Sequence, residues 1–359
     1  MKIAIIAITK HGVLDALRLK AALPEAQVWV SEKQKGPGQE GARHFGTIKD
    51  LAGELWDKVD GMVFHVSLGA VVRTIAPHLK SKDLDPAVVV VDDACRFAIP
   101  VLSGHVGGAN ELAGRVAQAL GAQAVLTTAS DARSTIPVDI LGRELGWKLE
   151  GKENVTPVSA AVVNEKPVAF VREAGQENWW TRPTPLPANI RVFPSLAAAL
   201  GAGEFEAYLV VSDRSSARLR AELGQRWDKA VLYRPPTLCL GMGCDHGTDL
   251  GELESLVGSS LEEAGLSPLS VAGLATIDLK IDEPCLLQLA AGLGVKLEAY
   301  TKDELNERKT KTMPNPLVMK YTGAVGVCEP AAMLLAGVGD LVLEKRKSRR
   351  ATLAVARKG

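Results

Sequence analysis

Continuous apolar segments alternate with helical patterns from the N-terminus onward, and this alternation constrains the fold more than any other feature of the sequence. The run AVVVV at residues 87–91 is typical of a strand buried on both faces of a parallel sheet. The alternation predicts right-handed βαβ units, which bind ligands beyond the carboxyl ends of their strands. Strands are predicted at residues 2–8, 26–31, 61–66, 86–92 and 122–128, and helices at residues 11–23, 47–57 and 107–120.

The length of the chain predicts more than one domain, because single hydrophobic cores stop growing at about 250–300 residues and this chain has 359. We expect two to three α/β domains, each an open, mostly parallel sheet with flanking helices. The prolines in the segment 232–236 (LYRPP) predict a linker before the last domain. The predicted boundaries are an N-terminal domain at residues 1–150, a smaller middle domain at residues 151–234 and a C-terminal domain at residues 235–359. Within the last domain we predict a helix at 302–311 and a hairpin of residues 340–344 and 350–356, with the basic run 345–350 as its solvated turn.

Charge and cysteine content exclude several classes of protein. The 42 basic and 42 acidic residues cancel, which argues against binding to nucleic acid or to an anionic membrane. The five cysteines form no CxxC pair, so a disulfide framework and a zinc knuckle are not expected. No apolar stretch approaches the ~20 residues that span a bilayer, and the interrupted run MKIAIIAITKHG predicts a first buried strand. We therefore expect a cytoplasmic protein.

The segment SGHVGGANE at residues 103–111 is the densest candidate for a site and is predicted to lead into the helix at 107–120. Its three glycines let the backbone approach a ligand closely, and the amides of a helix N-terminus favour an anion. His105 is a candidate general acid or base near neutral pH, and Ser103 is a candidate nucleophile, although the GxSxG pattern is absent. A tight strand–helix turn with Asn110 near the cap position is the competing explanation.

Polar residues end three neighbouring predicted strands. Asp92 and Asp93 stand at the end of the strand at 86–92, and the segment 103–111 follows a strand that ends near Leu102. The segment TTASD at 127–131 ends the next predicted strand. Adjacent carboxylates point to opposite faces of a strand, so only one of the two aspartates is expected to face a given cleft. Because the carboxyl ends of parallel strands meet at one edge of a sheet, we expect a cleft there that also contains His105.

The segment GMGCDHG at residues 241–247 is a second candidate, at the start of the C-terminal domain. Its G-x-G-x-x-x-G spacing is one residue longer than the dinucleotide-binding fingerprint. A NAD(P)-dependent oxidoreductase is therefore an alternative function. Cys244 is predicted next to a helix N-terminus, which lowers a thiol pKa, although a buried side chain is the more common role of such a cysteine.

The sequence predicts no metal site. The six histidines form no HExxH motif and no cluster with cysteine at the spacing of metal ligands. A GxxxxGK[ST] phosphate-binding loop is also absent.

Longer stretches of the sequence are specific enough to show a resemblance. The segments RTIAPHLKSKDLDPAVVVVD (73–92) and LSGHVGGANELA (102–113) resemble the N-terminal domain of the CbiG family of cobalamin biosynthesis proteins. The segments GMGC (241–244), TIDLK (276–280) and GVCEPAA (326–332) resemble the C-terminal domain of that family, which also occurs alone as CobE. The motifs follow the order of the family over essentially the whole chain.

The resemblance implies a hydrolase of anaerobic cobalamin biosynthesis that acts on cobalt-precorrin-5A. Such an enzyme opens the δ-lactone of the ring-contracted macrocycle, releases acetaldehyde and leaves cobalt-precorrin-5B. Cobalt enters with the substrate, so no cofactor of the protein is implied. The implied partners are the cobalt-precorrin substrate and neighbouring enzymes of the pathway, and a homodimer is compatible with the family. A tetrapyrrole-binding protein without catalytic activity is a further alternative.

The chain departs from the family at Cys95, where glycine is usual, and at Asp245 and His246, where basic residues often occur. The second departure weakens the case for an anion site in the C-terminal domain, so we expect the N-terminal domain to be catalytic. We predict catalytic roles for His105, Ser103 and Asp92, with water attacking the lactone and the amides of Gly107 and Gly108 stabilising the oxyanion. The residues that we predict to bind substrate are Gly69, Arg73, Lys82, Gly104, Gly107, Gly108, Asn110, Thr127, Thr128, Asp131, Gly241, Gly243 and Cys244.

Overall fold

The structure is a computed structural model that describes residues 1–82, 84–182, 184–308, 310 and 316–358. The chain divides into two compact units, Met1–Ile140 and Leu141–Gly359. None of the helices in the described part of the chain combines the length and the apolar character needed to cross a membrane.

The first unit is built on a seven-stranded sheet with the strand order β3-β2-β1-β4-β5-β6-β7. Its strands are β1 (Ile3–Ala7), β2 (Gln27–Ser31), β3 (Arg43–Phe45), β4 (Gly61–His65), β5 (Ala87–Val91), β6 (Phe97–Leu102) and β7 (Gln123–Ala124). Its helices are α1 (Lys10–Ala22), α2 (Ile48–Leu55), α3 (Leu68–Ile75), α4 (Ala109–Leu120) and α5 (Ala129–Ala132).

Helices cover both faces of this sheet, as the continuous apolar runs require. Alternate residues of the central strands pack against α1 and α4 on one face, where Leu19 and Leu112 are fully buried. The other residues pack against α2 and α3, with Phe64 and Val71 in the core. Burial of both faces explains why β1, β4 and β5 carry no exposed residue.

Two strands of the first sheet, β6 and β7, run against the other five. β4 and β5 are parallel, with His65 opposite Val91, but β6 returns antiparallel to β5, so that Leu102 lies opposite Val88. β7 is parallel to β6. The segment that follows Leu102 therefore lies at the edge of the sheet where β5 begins, and not at the edge where β4 and β5 end.

The second unit contains two five-stranded sheets, the first with the order β10-β9-β11-β12-β8. The strands are β8 (Lys148–Glu150), β9 (Val168–Arg172), β10 (Ile190–Phe193), β11 (Ala207–Val211) and β12 (Ala230–Arg234). The helices are α6 (Val155–Val163), α7 (Leu196–Gly201) and α8 (Ser216–Leu223). β8 pairs antiparallel with β12, and the other pairs are parallel.

The other sheet of the second unit has the order β15-β14-β13-β17-β16. The strands are β13 (Leu238–Cys244), β14 (Val271–Ile277), β15 (Leu297–Tyr300), β16 (Leu341–Lys347) and β17 (Ala351–Arg357). The helices are α9 (Leu250–Ala264), α10 (Pro284–Leu293), α11 (Lys302–Asn306), α12 (Pro316–Thr322) and α13 (Cys328–Ala336). β16 and β17 form the predicted antiparallel hairpin, and its basic run ends the edge strand β16 and enters the turn.

The fold class is confirmed, since three mostly parallel sheets with flanking helices follow one another along the chain. Two local predictions are wrong. The strand predicted at 122–128 is reduced to Gln123–Ala124, and the helix predicted at 302–311 ends at Asn306. Residues 309 and 311 of that predicted helix lie outside the described residues. The domain boundaries at 150 and 234 stay predictions.

The predicted linker at 232–236 is also wrong, because its first half is the end of β12. All five residues of this strand are buried, including Arg234 with none of its surface exposed. The Arg234 guanidinium donates to the Glu150 carboxylate at 2.6 Å and to the carbonyl oxygens of Ser212 at 2.9 Å and Arg214 at 2.6 Å. The buried Arg234 charge, together with these hydrogen bonds, therefore links β8 to the end of β12.

Candidate functional site

His105 lies between two carboxylates in the loop after β6. Its Nδ1 is 3.2 Å from Asp139 Oδ1, and its Nε2 is 3.2 Å from Asp131 Oδ2. The side chains are mostly but not completely covered, with 18% of His105, 19% of Asp131 and 22% of Asp139 exposed. The imidazole is therefore fixed from both sides and still reaches the surface.

The two carboxylates raise the pKa of the His105 imidazole. The hydrogen bond with Asp139 is the largest influence and raises the pKa of His105, against the lowering effect of burial. Burial alone raises the pKa of Asp139, but the hydrogen bond and the charge of His105 outweigh it and keep this pKa below its ordinary value. A histidine with a raised pKa can take up a proton near neutral pH and return it, which is the requirement for general acid–base chemistry.

Asp131 is held by three side chains at a single oxygen. Its Oδ2 accepts from the Asn110 amide at 2.7 Å and from the Thr128 hydroxyl, in addition to its contact with His105. These hydrogen bonds keep the pKa of Asp131 below its ordinary value although burial raises it. The structure thus brings together four residues that the sequence predicted for one site: His105, Asn110, Thr128 and Asp131.

The serine next to His105 is Ser130, and not the predicted Ser103. Ser130 Oγ lies 3.0 Å from His105 Nε2, and Ser130 is buried with 6% of its surface exposed. The Ser103 hydroxyl instead donates to the carbonyl oxygen of Asp85 at 2.9 Å, which ties the end of β6 to the residue before β5. The Ser130 hydroxyl, the His105 imidazole and the Asp139 carboxylate therefore contact one another in the order found in a catalytic triad. Ser103 is not part of this arrangement.

The amides at the start of α4 do not form the expected anion site. The Gly108 N–H donates to the His105 carbonyl at 3.0 Å, and the N–H groups of Ala109 and Asn110 donate to the carbonyls of Ser103 at 3.1 Å and Gly104 at 2.9 Å. The loop folds back and satisfies these donors itself. The prediction that the Gly108 amide stabilises an oxyanion is wrong, and that for Gly107 stays a prediction.

The glycines of the loop are explained by this folding back. A Cβ atom at Gly107 would lie 2.3 Å from Ser103 Cβ and 2.9 Å from its carbonyl oxygen. A Cβ atom at Gly104 would lie 2.9 Å from Asn110 Oδ1, and Gly108 has a φ of 85°. Glycine is therefore needed to bring His105 close to the helix that carries Asn110.

We expect Gly107→Ala to destabilise the first unit by about 1–3 kcal/mol, since the added methyl group overlaps Ser103. The matched control is Gly114→Ala in the middle of α4, where a Cβ atom would meet nothing within 4 Å. The control is expected to stabilise by about 0.5–1 kcal/mol through its helix propensity. Urea unfolding of both variants measures the difference, and equal effects would contradict this account of the loop.

Lys82 and Thr127 also lie at this edge of the sheet. Both are exposed. The positive charge of Lys82 contributes to the lowered pKa of Asp139, which places the ammonium group within electrostatic reach of the site. The role of Lys82 in binding substrate stays a prediction.

Three of the predicted site residues lie at the opposite edge. Asp92 ends β5, where its carboxylate accepts from the Phe97 N–H at 2.7 Å and from Arg96 at 3.5 Å. Arg73 of α3 is exposed and donates to the carbonyl of Gly69, close to the end of β4. The prediction that Asp92 and His105 face one cleft is wrong because β6 is antiparallel to β5.

The glycines of the second candidate serve packing. Gly241 and Gly243 lie within β13, and a Cβ atom at Gly241 would lie 1.9 Å from the carbonyl oxygen of Cys328 in α13. The absence of a side chain at Gly241 therefore allows α13 of the same chain, and not a ligand, to approach the strand closely. Cys244 also lies in β13, where burial raises its thiol pKa to about 12, so the lowered pKa expected at a helix N-terminus is wrong. Its predicted role in binding substrate, like those of Gly241 and Gly243, stays a prediction.

Sequence reasoning missed Asp139 and Ser130. Ser130 lies within the polar segment 127–131, but the pattern of this segment does not distinguish it from Thr128 and Asp131. Asp139 follows the segment STIPV, which has no catalytic pattern. Only the fold brings its carboxylate to the imidazole.

Models of known families match nearly the whole chain. The family described as Cobalamin synthesis G N-terminal matches residues 50–131, and the Cobalamin biosynthesis central region matches residues 136–235. Cobalamin synthesis G C-terminus matches residues 238–356. The first of these matches contains His105 and Asp131, and the second contains Asp139.

Curated proteins show the same relationship. Cobalt-precorrin-5A hydrolase of Priestia megaterium is 47% identical over 98% of this chain and 94% of that protein. Cobalt-precorrin-5A hydrolase of Salmonella typhimurium is 31% identical over 98% of this chain and 97% of that protein. Protein CobE of Sinorhizobium sp. is 33% identical over 33% of this chain and 79% of that protein.

Proposed function

This chain belongs to the CbiG family of cobalamin biosynthesis proteins, and we propose that it is a cobalt-precorrin-5A hydrolase. The identity of 47% over 98% of the chain to a protein of that name carries the proposal. The alternative of a NAD(P)-dependent oxidoreductase finds no support, since the glycines at 241 and 243 lie inside a strand that a helix covers.

In the first step we infer that His105 activates water. Nε2 takes a proton from the water, whose oxygen adds to the lactone carbonyl of the substrate. The tetrahedral intermediate then collapses, the bond between the carbonyl carbon and the ring oxygen breaks, and the imidazolium returns its proton to that oxygen. The products of this step are a carboxylic acid and a secondary alcohol on the extruded carbon.

The second step is a base-assisted carbon–carbon cleavage. The alcohol loses its proton, its oxygen forms the carbonyl of acetaldehyde, and the bond to the macrocycle breaks. The electron pair of that bond passes to the macrocycle, which takes up a proton. Cobalt is part of the substrate in both steps.

Asp139 and Ser130 position the imidazole. Asp139 accepts from Nδ1–H, as the carboxylate of a catalytic triad does. Nε2 donates to Asp131 while the ring is charged, and it is the basic nitrogen once the ring has lost this proton. Ser130 lies next to Nε2 but is almost completely covered by protein. We therefore infer that water, and not Ser130, attacks the substrate.

The surroundings of the site favour an anionic substrate only in part. The acidic pair Asp131 and Asp139 is balanced by His105 in its charged form, and Lys82 is an exposed cation near the site. We infer that Lys82 contacts a side-chain carboxylate of the macrocycle. We further infer that the enzyme works in the cytoplasm, without nucleic acid or membrane as a partner, and passes its product to neighbouring enzymes of the pathway.

Incubation of the purified protein with cobalt-precorrin-5A under anaerobic conditions tests this function. We expect acetaldehyde to appear in a one-to-one ratio with the loss of substrate, trapped as its hydrazone. A protein that only carries the tetrapyrrole would bind the substrate and release no aldehyde. Release of aldehyde that requires added NAD(P) would support the oxidoreductase instead.

The pH dependence of kcat/KM tests the role of Asp139. Activity needs neutral His105, so the wild-type profile should rise with pH through the raised pKa of this histidine. In Asp139→Asn the largest upward influence on this pKa is removed, and the rising limb should move to lower pH while the maximal rate falls. Asp57→Asn, which breaks an exposed ion pair with Lys80, is the control and should leave the limb in place. An unmoved limb in Asp139→Asn would disprove the assignment.

Replacement of Ser130 by alanine separates water from a covalent mechanism. If water attacks, we expect kcat to fall by less than ~10-fold, because only the orientation of the ring changes. A loss of ~10⁴-fold or more, together with an acyl-enzyme detected by mass spectrometry in the wild type, would show that Ser130 is the nucleophile.

A further inference from the structure

Three side chains that are typical metal ligands meet at the edge of the first sheet where β4 and β5 end. They are Asp15 of α1, His65 at the end of β4 and Cys95 in the turn between β5 and β6. One donor atom of each lies within 4.8 Å of those of the other two. In the described part of the chain no other group of three histidine, cysteine or acidic residues meets this condition.

His65 is the strongest sign of a ligand. The residue is 2% exposed, and neither ring nitrogen has a hydrogen-bond partner among the described residues. Buried polar atoms are almost always paired, so an imidazole with two unpaired nitrogens requires an explanation. A metal bond at one nitrogen would supply the missing partner.

The start of α1 packs closely against His65. A Cβ atom at Gly12 would lie 3.0 Å from His65 Cβ, so the helix backbone packs directly on the histidine. Asp15 lies three residues after Gly12 on the helix, and only 16% of its side chain is exposed. Its Oδ1 accepts from exposed Arg18 at 3.2 Å. The helix thus brings the carboxylate within 4.8 Å of a nitrogen of the imidazole.

Cys95 lies in a backbone conformation that glycine adopts more readily. Its φ is 50°, in the left-handed region that disfavours a side chain. The thiol is partly buried and packs against the same core as α1. The backbone at this position would favour glycine, yet the chain has a cysteine there. The Cys95 thiol lies close to Asp15 and His65.

We propose that Asp15, His65 and Cys95 bind a divalent transition metal ion such as zinc. A set of one oxygen, one nitrogen and one sulfur suits this class of ion, whereas calcium and magnesium prefer oxygen. Bonds of about 2.0–2.3 Å place tetrahedral ligand atoms about 3.3–3.8 Å apart, so a contraction of about 1 Å is enough. Binding converts the thiol to a thiolate and releases its proton to solvent, and the carboxylate and thiolate balance the two positive charges.

Cobalt(II) and zinc(II) as free ions test this site on the full-length protein after treatment with a chelator. We expect one equivalent of cobalt(II) to produce thiolate-to-cobalt charge-transfer absorption, and zinc(II) to abolish it by displacement. In Cys95→Gly the absorption should disappear and the Kd for zinc(II) should rise by more than ~100-fold. Glycine suits the φ at this position, so this variant should remain folded by circular dichroism.

Controls separate this site from the other thiols. Cys244 and Cys285 lie 3.9 Å apart in the second unit, so Cys244→Ser should leave the absorption unchanged. Asp15→Asn provides a second variant on the helix and should weaken zinc(II) binding while the thiolate band persists at saturating cobalt(II). Absence of the band in the wild type, or a band that persists in Cys95→Gly, would overturn the proposal.

Discussion

His105→Asn should lower the kcat/KM for cobalt-precorrin-5A by ~10²–10⁴-fold, because it removes the group that moves the proton in both directions. Asparagine can still donate one hydrogen bond to the carboxylates of Asp131 and Asp139, so the loop after β6 is expected to keep its structure. The rate of acetaldehyde release at saturating and at low substrate concentration measures the effect. Unchanged release would remove His105 from the mechanism.

The matched control is His11→Asn, the same change at an exposed position at the start of α1. We expect its activity to equal that of the wild type. A fall of similar size in both variants would indicate general damage to the first unit. Circular dichroism of both variants separates a catalytic loss from unfolding.

His105 also links the stability of the first unit to pH. Since its pKa is raised in the folded state, the charged imidazole contributes stability below its unfolded value of about 6.5. This contribution is lost as the pH rises through the higher folded value. The difference in unfolding free energy between wild type and His105→Asn should therefore be largest at mildly acidic pH and shrink at alkaline pH.

Arg234→Met should destabilise the second unit by about 3–5 kcal/mol, the cost of breaking a buried ion pair by removing one partner. Arg234 is fully buried, and its loss would leave two backbone carbonyls without this donor and the Glu150 carboxylate with only the Ser216 hydroxyl. Urea unfolding followed by circular dichroism measures the loss. A change below about 1 kcal/mol would show that the pair does not hold β8 to β12.

Two further variants identify the cause of this loss. Arg226→Met removes an ion pair with Glu204 at the surface and should leave the midpoint of unfolding unchanged. Arg234→Met combined with Glu150→Gln no longer buries an unpaired charge and should regain part of the lost stability. Without such recovery, lost packing and not the charge would explain the effect.

The regular parts of the fold could be predicted from the sequence because their signal is local. The run AVVVV at 87–91 reports burial on both faces, and the observed β5 covers these five residues. The hairpin at the C-terminus likewise follows from alternation within two short segments. The short strands β3 and β8, three residues each, gave no such pattern and were missed.

The segment 232–236 shows how a local signal can mislead. Two prolines predicted a linker, yet residues up to Arg234 form a buried strand whose arginine is neutralised by Glu150, 84 positions earlier. Composition treats such an arginine as a surface residue, since an unpaired charge is almost never buried. Only the partner makes its burial possible, and the partner is remote in sequence.

The candidate site also contains residues that the sequence predicts and residues that only the fold reveals. Two polar segments of the sequence predict four residues of the site, and the fold brings them within hydrogen-bond distance: His105, Asn110, Thr128 and Asp131. The sequence does not predict Asp139, because nothing around it marks a catalytic residue. The proposed metal ligands at positions 15, 65 and 95 are likewise too far apart for any spacing motif.

By itself, the sequence determined the family of this protein, its α/β class and the two polar segments that carry the site, because all three depend on the order of neighbouring residues. The tertiary structure alone decided that β6 runs antiparallel to β5, which places His105 at one edge of the sheet and Asp92 at the other. The direction of a strand depends on its pairing partner and not on its own side-chain pattern. For that reason the residues expected in one cleft lie at two edges of the sheet, with the cluster around His105 at one edge and the three residues that we propose as metal ligands near the other.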